Sequence, residues 1–458
     1  MGVNLARNAA RNGARVAVFN RTKEKLDAFM AAYGKEGEFV ACRTLTEVAK
    51  ALRPPRPILL MVKAGEAVDG IIDELLKHIQ KGDVLIDGGN SHYRDTERRD
   101  ELLRKKDIHF LGLGISGGEE GALLGPSLMP GGSKEAYRVV EPLLLKMAAH
   151  EGEKRAKDGR CVSYLGPGGS GHFVKMVHNG IEYGVMQLLA ETYHLLRKLS
   201  RKSNAAIAGI VETWNRDPWL QSFLLEITQE VLLAKDSITG HDLLDSVQDT
   251  AGQKGTGKWS TAAAMEYGVS IPTMTAAVDA RIISSAKQFR EAQAKRDVLT
   301  PLSMGVPKDF TERVRTALEC SVLNTYAQGF QLLSVASVVE EWNLNLAEIA
   351  RVWTGGCIIR ASFLTLWQKM LSGDNVAARE VRSRFSPQAQ RRWRSVVSIG
   401  GAKAVPLPAM GASLWYYDSY RTARLPQNLT ALQRDCFGAH GYERGDMPGM
   451  FHTDWARS

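Results

Sequence analysis

The sequence predicts a doubly wound α/β domain, followed by a large all-α domain and an irregular C-terminal tail. In residues 1–165, short β-branched strands alternate with helical stretches, which is typical of a parallel sheet covered by helices on both faces. In residues 166–421 the strand patterns stop and apolar residues recur with a helical period. Residues 422–458 combine scattered glycines and prolines with aromatic side chains, so we expect this tail to dock on a protein surface.

The individual elements follow from the same patterns. In the first domain, apolar runs predict buried strands at 15–20, 57–62, 83–89 and 109–116. Helices are predicted over 3–12, which lies between Gly2 and Gly13, and over 68–81. In the second domain, helical periodicity predicts helices at 171–199, 203–213, 218–235, 275–296, 309–342 and 345–353.

The beginning of the sequence departs from the usual order of a Rossmann-like domain. Such a dinucleotide-binding domain starts with a strand and a G-x-G-x-x-G turn before its first helix. Here Gly2 stands where the last of those glycines would be, and the first strand and the two earlier glycines are missing. We therefore expect the sequence to be an N-terminally truncated form that starts at an internal methionine.

Composition argues against several classes of protein. Lys and Arg outnumber Asp and Glu by 59 to 50, but the net charge of +9 is dispersed, which does not favour a nucleic-acid-binding protein. No apolar run approaches the ~18–20 residues of a membrane span. The five cysteines are far apart and form no CxxC pair. This excludes a zinc ribbon or a disulfide framework and indicates a reducing, cytoplasmic location.

The turn after the strand at 15–20 predicts the cofactor. Asn20, Arg21 and Thr22 form this turn, and no acidic residue precedes Glu24. An enzyme that binds NAD usually places a carboxylate here for the ribose 2′-hydroxyl, whereas a guanidinium suits the 2′-phosphate of NADP. The turn therefore favours NADP.

The segment 165–184 carries the most specific chemical signal. A glycine-rich entry leads into a helix, and four polar residues of that helix are spaced to form one stripe on an otherwise apolar surface. These residues, at i, i+3, i+4 and i+7, are Lys175, His178, Asn179 and Glu182. A lysine and a carboxylate two turns apart can act as base and acid on either side of a bound substrate, provided that burial lowers the pKa of the lysine.

Two further glycine-rich turns follow predicted strands. Ser116, Gly117 and Gly118 offer a hydroxyl and open backbone N–H groups, which suit a developing negative charge. Gly88 and Gly89, followed by Asn90, allow a similarly close approach of a ligand to the backbone.

With these motifs in view, the chain resembles the decarboxylating 6-phosphogluconate dehydrogenase family over essentially its whole length. The most specific part is the run SGGEEGA at 116–122 with GPSLMPGG at 125–132. The other matching segments are FNRT at 19–22, LLMVKAG at 59–65, DGGNS at 87–91, KMVHNGIEYG at 175–184, KGTGKW at 254–259, GCIIRA at 356–361 and FGAHGYER at 437–444.

The resemblance implies an activity and catalytic roles. The family oxidises C3 of 6-phosphogluconate with NADP, loses CO2 from C1 and releases ribulose 5-phosphate, without a metal. Lys175 matches the general base, which takes the C3 hydroxyl proton and then polarises the ketone. Glu182 matches the acid that protonates C1 of the enediol.

The resemblance also implies the binding residues. The groups matching the sugar-acid and nicotinamide ligands are Asn90, Ser116, Gly117, Gly118, His178 and Asn179, and those matching the phosphate-end ligands are Tyr183, Lys254 and Arg281. Those matching the cofactor site are Gly2, Asn20, Arg21, Thr22, Val62, Lys63, Ala64 and again Asn90. Arg434 and His440 match substrate ligands that come from the other subunit's tail, which implies a homodimer.

Four alternatives stay open. Residues 252–258 satisfy the phosphate-loop pattern of a kinase, although Trp259 replaces the expected Ser or Thr. A metal-dependent decarboxylase would use the helically spaced carboxylates Asp242, Asp245 and Asp249. A non-decarboxylating β-hydroxyacid dehydrogenase would lack the GPSLMPGG and FGAH segments. An inactive truncated copy would retain the polar stripe but bind NADP poorly.

Overall fold

The first region of the molecule alternates strands and helices. The computed structural model describes residues 1–151, 159–253 and 255–455. The elements of this region are α1 (Gly2–Arg11), β1 (Val16–Phe19), α2 (Lys23–Tyr33), β2 (Phe39–Cys42), α3 (Leu45–Ala51), β3 (Pro57–Leu60), α4 (Glu66–Leu75), β4 (Val84–Asp87), α5 (Tyr93–Arg104), β5 (His109–Ser116), α6 (Gly118–Leu124), β6 (Ser127–Gly132) and α7 (Lys134–Met147). The predicted α/β class and all four predicted strands are thereby confirmed.

The strands belong to two sheets. β1 pairs with β2 in parallel, and β3, β4 and β5 form a second parallel sheet that β6 extends in antiparallel orientation. Within the described residues, no strand ladder joins β1 to β3. The sequence did not predict β2, which has only four residues, or β6, whose Pro130 and two glycines normally mark a turn.

The parallel order brings the carboxyl ends of β3, β4 and β5 to one edge of the sheet, where ligands of doubly wound folds bind. Two loops leave the sheet at this edge. The β3 loop comprises residues 61–65, and the β4 loop comprises residues 88–91. The helix predicted over 68–81 ends earlier, at Leu75, because residues 76–78 form a turn that leads into β4.

The second region is helical, as predicted. Its elements are α8 (Ser170–Lys198), α9 (Asn204–Trp214), α10 (Phe223–Leu233), α11 (Leu243–Ser246), α12 (Thr256–Glu266), α13 (Pro272–Ser285), α14 (Lys287–Arg296), α15 (Phe310–Val339), α16 (Leu346–Val352), α17 (Leu364–Leu371), α18 (Asn375–Ser383), α19 (Pro387–Ala402), α20 (Pro408–Ser419), α21 (Gln427–Gly438), β7 (Tyr442–Glu443) and β8 (Met450–Phe451). No helix in the described part of the chain is both long enough and apolar enough to cross a bilayer.

Helix α8 joins the two regions because it begins against the sheet. A Cβ atom on Gly171 would lie 2.5 Å from the carbonyl oxygens of Gly112 and Met129, so only glycine allows the helix to start this close to β5 and β6. One turn later, a Cβ on Gly114 would lie 2.6 Å from Cβ of Lys175. These contacts place Lys175 beside the carboxyl end of β5.

Two predictions for the rest of the chain differ clearly from the structure. The single helix predicted over 275–296 is broken at Ala286, whose ψ of 41° is not helical, and the chain forms α13 and α14 instead. The tail is not wholly irregular, because residues 427–438 form α21 and residues 442–451 form a short hairpin. The periodicity of α21 was hard to detect because almost all of its side chains are exposed in this chain.

Candidate active site

The four polar residues of α8 form a connected group. Lys175, His178 and Asn179 are buried, and Glu182 retains 22% of its side-chain exposure. Lys175 Nζ donates to Asn179 Oδ1 at 2.6 Å and lies 3.3 Å from His178 Nδ1. Glu182 Oε2 lies 3.8 Å from the same His178 nitrogen. The predicted stripe is therefore one cluster of an amine, an imidazole, an amide and a carboxyl group.

A chain of hydrogen bonds assigns the tautomer of His178. Asn179 Oδ1 can only accept, so neutral His178 is assigned the tautomer with its proton on Nδ1, which donates to this oxygen at 3.1 Å. His178 Nε2 then accepts from the Ser116 hydroxyl at 3.0 Å, and the backbone N–H of Ile358 donates to Ser116 Oγ at 3.3 Å. Asn179 Oδ1 thus accepts from both the imidazole and Lys175.

Burial sets the charges in this cluster. Desolvation lowers the pKa of Lys175, against the opposing effect of the Glu182 carboxylate. Desolvation raises the pKa of Glu182, which the nearby charges of Lys175 and Arg281 partly counteract. Burial, together with the charge of Lys175, holds the pKa of His178 well below its usual value, so the imidazole is neutral at neutral pH. Burial therefore shifts both the lysine and the carboxyl toward their neutral forms.

The turn at Ser116, Gly117 and Gly118 lies at the end of β5, next to this cluster. Gly117 has a φ of 134° and Gly118 a φ of 66°, values that favour glycine. A Cβ on Gly117 would also lie 2.6 Å from the carbonyl oxygen of Gly356. The segment that follows α16 therefore packs against this turn. The backbone N–H of Ile358 in this segment donates to Ser116 Oγ and fixes the hydroxyl oxygen.

Tyr183 and Arg281 meet next to Glu182. The Arg281 guanidinium carbon lies 3.4 Å from the centroid of the Tyr183 ring, and Nη1 donates to the carbonyl of Gly252 at 3.2 Å. Arg281 is on α13 and Tyr183 is on α8, so the Arg281 cation is held between two helices next to Glu182. Lys254, which was predicted as a third ligand here, lies outside the described residues.

The predicted cofactor residues lie in loops at the carboxyl ends of the strands. Asn20, Arg21 and Thr22 are exposed after β1, and Asn20 Oδ1 accepts from the backbone N–H of Thr22 at 2.9 Å. This bond leaves the Asn20 amide group, the Arg21 guanidinium and the Thr22 hydroxyl as donors, which fit a phosphate. No carboxylate belongs to the turn.

The other predicted cofactor residues lie nearby in the β3 and β4 loops or at the start of α1. Lys63 and Asn90 are exposed, whereas Val62 and Ala64 are half-buried. At Gly2, a Cβ would lie 3.3 Å from Cβ of Met61, so the beginning of α1 faces the β3 loop. A helix start with open N–H groups beside this loop fits the pyrophosphate of a dinucleotide.

The tail holds the two residues predicted to reach a second subunit. Arg434 and His440 are exposed, and within the described residues no hydrogen bond joins either of them to α8. Sequence reasoning missed Asp435, a buried carboxylate between them that organises the tail. It accepts from the backbone N–H groups of Gly441 and Thr453, at 3.0 and 3.1 Å, and from the rings of His452 and Trp455, at 2.8 and 2.9 Å.

The carboxylates of the metal alternative are explained by ion pairs. Asp242 pairs with Lys235 and Asp249 with Lys287, and Asp245 lies 3.7 Å from Arg197. Each therefore faces a different cation. In the residues that the structure describes, no group of three or more His, Cys, Asp or Glu side chains is arranged to hold a metal ion.

The kinase alternative also conflicts with the structure. A phosphate loop follows directly on a β-strand, but among the described residues the element before α12 is the short helix α11. Trp259, at the position of the magnesium-binding hydroxyl, packs edge-on against the His92 ring at 5.2 Å. This tryptophan has a packing role between the two regions.

A dinucleotide-type α/β region beside a buried lysine and carboxyl fits the class of dehydrogenases that use a nucleotide cofactor. The family model described as "NAD binding domain of 6-phosphogluconate dehydrogenase" matches residues 1–166. The model described as "6-phosphogluconate dehydrogenase, C-terminal domain" matches residues 171–455. The chain belongs to the 6-phosphogluconate dehydrogenase family.

Individual relatives agree with this assignment. "6-phosphogluconate dehydrogenase, decarboxylating" of Synechococcus elongatus is 48% identical, over 99% of this chain and 97% of the relative. "6-phosphogluconate dehydrogenase, NADP(+)-dependent, decarboxylating" of Bacillus subtilis is 45% identical, over 100% of this chain and 97% of the relative. A solved structure of the Plasmodium falciparum 6-phosphogluconate dehydrogenase is 40% identical and superposes with a TM-score of 0.91, covering 99% of this chain and 98% of that one.

Proposed function

We propose that this protein oxidises and decarboxylates 6-phosphogluconate to ribulose 5-phosphate and CO2, and reduces NADP to NADPH. The observation that carries the proposal is the buried Lys175 on α8, whose pKa burial lowers and whose amine is held 2.6 Å from Asn179 Oδ1. Family membership and the decarboxylating relatives support the same activity.

In the first step Lys175 acts as the base. Its neutral amine uses one N–H to bond Asn179 and keeps a lone pair for the proton of the C3 hydroxyl. NADP, held by the loop residues assigned below, would supply the acceptor for the hydride that leaves C3. Neutral His178, held by Ser116 and Asn179, adds no positive charge that would oppose protonation of the lysine.

In the second step Lys175 acts as the electrophile. Once protonated, it donates to the new C3 ketone oxygen and stabilises the negative charge that forms there as the C1–C2 bond breaks and CO2 leaves. Glu182, whose pKa is raised by burial, then gives its proton to C1 of the enediol, which is the former C2 of the substrate. At the same time Lys175 takes the proton of the enediol hydroxyl, which leaves the ketone of ribulose 5-phosphate, and return of that proton from Lys175 to Glu182 restores both groups. The steps balance without a metal ion, because the lysine supplies the positive charge.

Binding of the substrate uses the charged and backbone groups around this cluster. We assign the sugar-acid portion to Asn90, Ser116, Gly117, Gly118, His178 and Asn179, and the phosphate end to Tyr183, Lys254 and Arg281. Charge-assisted hydrogen bonds are worth about 1.5–3 kcal/mol each, so the two cations are the main anchors of the phosphate.

Binding of NADP uses the carboxyl edge of the sheets. We assign the 2′-phosphate to the donors of Asn20, Arg21 and Thr22, and the pyrophosphate to the start of α1 at Gly2. The rest of the cofactor is then covered by two loops. These are the β3 loop, with Val62, Lys63 and Ala64, and the β4 loop, with Asn90.

We propose that the protein acts as a homodimer in which Arg434 and His440 enter the partner's site. The tail and α14 expose large apolar side chains, among them Phe289, Leu429 and Phe437, which a second copy would cover. Four of the five cysteines are buried and all are free thiols, which fits the proposed cytoplasmic location.

Product stoichiometry tests the proposed reaction. The chain, incubated with 6-phosphogluconate and NADP, should form NADPH, CO2 and ribulose 5-phosphate in equal amounts. NADPH without CO2 would instead indicate the non-decarboxylating dehydrogenase. Binding of 6-phosphogluconate without any NADPH would indicate the inactive copy.

A further inference from the structure

Arg99 on α5 is a buried cation that the proposed reaction does not use. It retains 2% of its exposure, and its guanidinium bonds three different segments. Nη1 donates to Asp87 Oδ2 at 3.3 Å, at the end of β4. Nη2 donates to the carbonyl of Gly65 at 3.1 Å, at the end of the β3 loop. Nε and Nη2 donate to the two oxygens of Asp69 on α4, at 2.8 and 3.1 Å.

The two loops that Arg99 connects touch each other. A Cβ on Gly89 would lie 3.2 Å from the carbonyl oxygen of Val62, and a Cβ on Gly88 would lie 2.7 Å from Sδ of Met61. The β4 loop therefore lies directly on the β3 loop. Their relative position depends on whatever fixes the end of each loop.

Arg99 fixes the β4 loop through Asp87. This fully buried carboxylate accepts from the backbone N–H of Gly89 at 3.0 Å and from the hydroxyl of Ser91 at 2.6 Å, so it shapes the loop on both sides of Asn90. In the part of the chain that the structure describes, Arg99 forms the ion pair with the buried Asp87 carboxylate. Without it, the carboxylate that shapes the loop would be left unpaired.

Arg99 fixes the β3 loop at its other end. Gly65 has a φ of 94° and immediately precedes α4, so its carbonyl marks the point where the loop turns into the helix. Arg99 donates one hydrogen bond to this carbonyl and two to the Asp69 carboxylate, so it holds the end of the loop and the first turn of α4 together.

We propose that Arg99 is a positioning residue for NADP: by clamping the ends of the β3 and β4 loops together, it sets the surface on which the cofactor lies. The proposal rests on the assignment of Val62, Lys63, Ala64 and Asn90 to the cofactor. Arg99 itself touches neither cofactor nor substrate. Its main effect is on NADP affinity, because Val62, Lys63, Ala64 and Asn90 of the two loops are all assigned to the cofactor. Only Asn90 is also assigned to the sugar acid, whose other proposed ligands lie on α8 and in the turn after β5.

The test is Arg99→Lys, with Arg98→Lys as the matched control. Lysine keeps the positive charge that pairs with Asp87 and Asp69. Its single ammonium group cannot reproduce the hydrogen bonds of the guanidinium to Asp87, Gly65 and Asp69 at once. Arg98 is the neighbouring residue on α5 and also bonds Asp69, at 2.9 Å, but is exposed and bonds neither loop. NADP affinity is measured by titration calorimetry, and the KM for 6-phosphogluconate and the melting temperature are measured on the same preparations.

We expect Arg99→Lys to weaken NADP binding about tenfold, as loss of a charge-assisted bond does, while the KM for 6-phosphogluconate, which depends on the clamped loops through Asn90 alone, changes by a clearly smaller factor. Hydrogen exchange should increase in 61–65 and 88–91 together, and Arg98→Lys should change neither quantity. Unchanged NADP affinity in folded Arg99→Lys, or an equal loss of both affinities, would overturn the proposal. A wild-type chain that binds NADP but does not oxidise 6-phosphogluconate would refute the proposed function alone, and one that binds no NADP would refute both.

Discussion

Lys175 Nζ donates a 2.6 Å hydrogen bond to Oδ1 of Asn179, one helical turn further along α8. Because the same oxygen accepts from His178, the amide fixes both neighbours without adding a charge. The lysine is thereby oriented while burial keeps its pKa low. A carboxylate at this position would orient it equally well but would favour the protonated amine.

Replacing the proposed base should stop the reaction. Lys175→Met removes the amine but keeps a flexible apolar chain in the buried position. We expect NADPH formation to be lost, while 6-phosphogluconate binding, measured by calorimetry, remains detectable through the phosphate-end groups. Near-normal turnover would exclude Lys175 as the base.

Converting Asn179 to a carboxylate should move the acidic limb of the pH–rate profile. The base is active when deprotonated, so activity falls as the pH drops through the pKa of Lys175. A carboxylate next to the amine raises that pKa by about 1–3 pH units, so the limb in Asn179→Asp should move to higher pH. Asn179→Ala, which removes the acceptor without adding charge, should not show this displacement. A limb at the wild-type pH in Asn179→Asp would contradict the assignment.

The carboxyl that protonates C1 should control the alkaline limb. Glu182 is active when protonated, and burial raises its pKa, so activity should fall as the pH rises through that raised value. In Glu182→Gln the alkaline limb should vanish and the residual rate should be much lower. An unchanged alkaline limb in this variant would assign it to another group.

Glu191 should make stability depend on pH. This buried carboxyl accepts from the N–H groups of Ala409 and Met410 at the start of α20, but burial raises its pKa from 4.5 to about 7. A raised carboxyl pKa stabilises the fold below pH 4.5, and this contribution is lost as the pH rises to about 7. The difference corresponds to about 3 kcal/mol of unfolding free energy.

Glu191→Gln should therefore flatten the pH dependence of denaturant unfolding between pH 4.5 and about 7. Glu230→Gln, at an exposed carboxyl on α10, serves as the control. If Glu191→Gln shows the same pH dependence of stability as the wild type in this range, burial does not raise the pKa of Glu191.

Removal of the tail after Leu432 tests the shared site. The deleted part contains Arg434, His440 and the Asp435 carboxylate that organises them. We expect weaker 6-phosphogluconate binding and loss of dimerisation, measured by calorimetry and by light scattering. Asp435→Asn should weaken substrate binding in the same direction, because asparagine cannot accept from all four donors. A fully active monomeric truncation would refute the shared site.

The sequence predicted those parts of the molecule that repeat a pattern. The spacing of Lys175, His178, Asn179 and Glu182 specified one face of a helix, and the structure confirms that these side chains form one cluster. The strand alternation likewise predicted β1, β3, β4 and β5. Both signals depend only on side-chain order along a regular backbone.

The parts that were missed depend on tertiary contacts or on the backbone. β6 contains Pro130 and two glycines, yet it forms a strand because β5 offers it a full antiparallel ladder. The N–H of Ile358, which orders Ser116, carries no side-chain signal at all. Arg99 reaches Gly65, 34 residues earlier in the chain, so no local pattern shows the clamp.

The most direct test is the initial rate of NADPH formation when the chain is mixed with 6-phosphogluconate and NADP in the presence of a metal chelator, with NAD and Lys175→Met as parallel samples. We predict a robust rate with NADP, a much lower rate with NAD and none in the variant. Equal rates with both cofactors would contradict the role of the Asn20–Thr22 turn. No rate with wild-type chain, or a rate that the chelator abolishes, would contradict the central claim of a lysine-based, metal-independent oxidative decarboxylase.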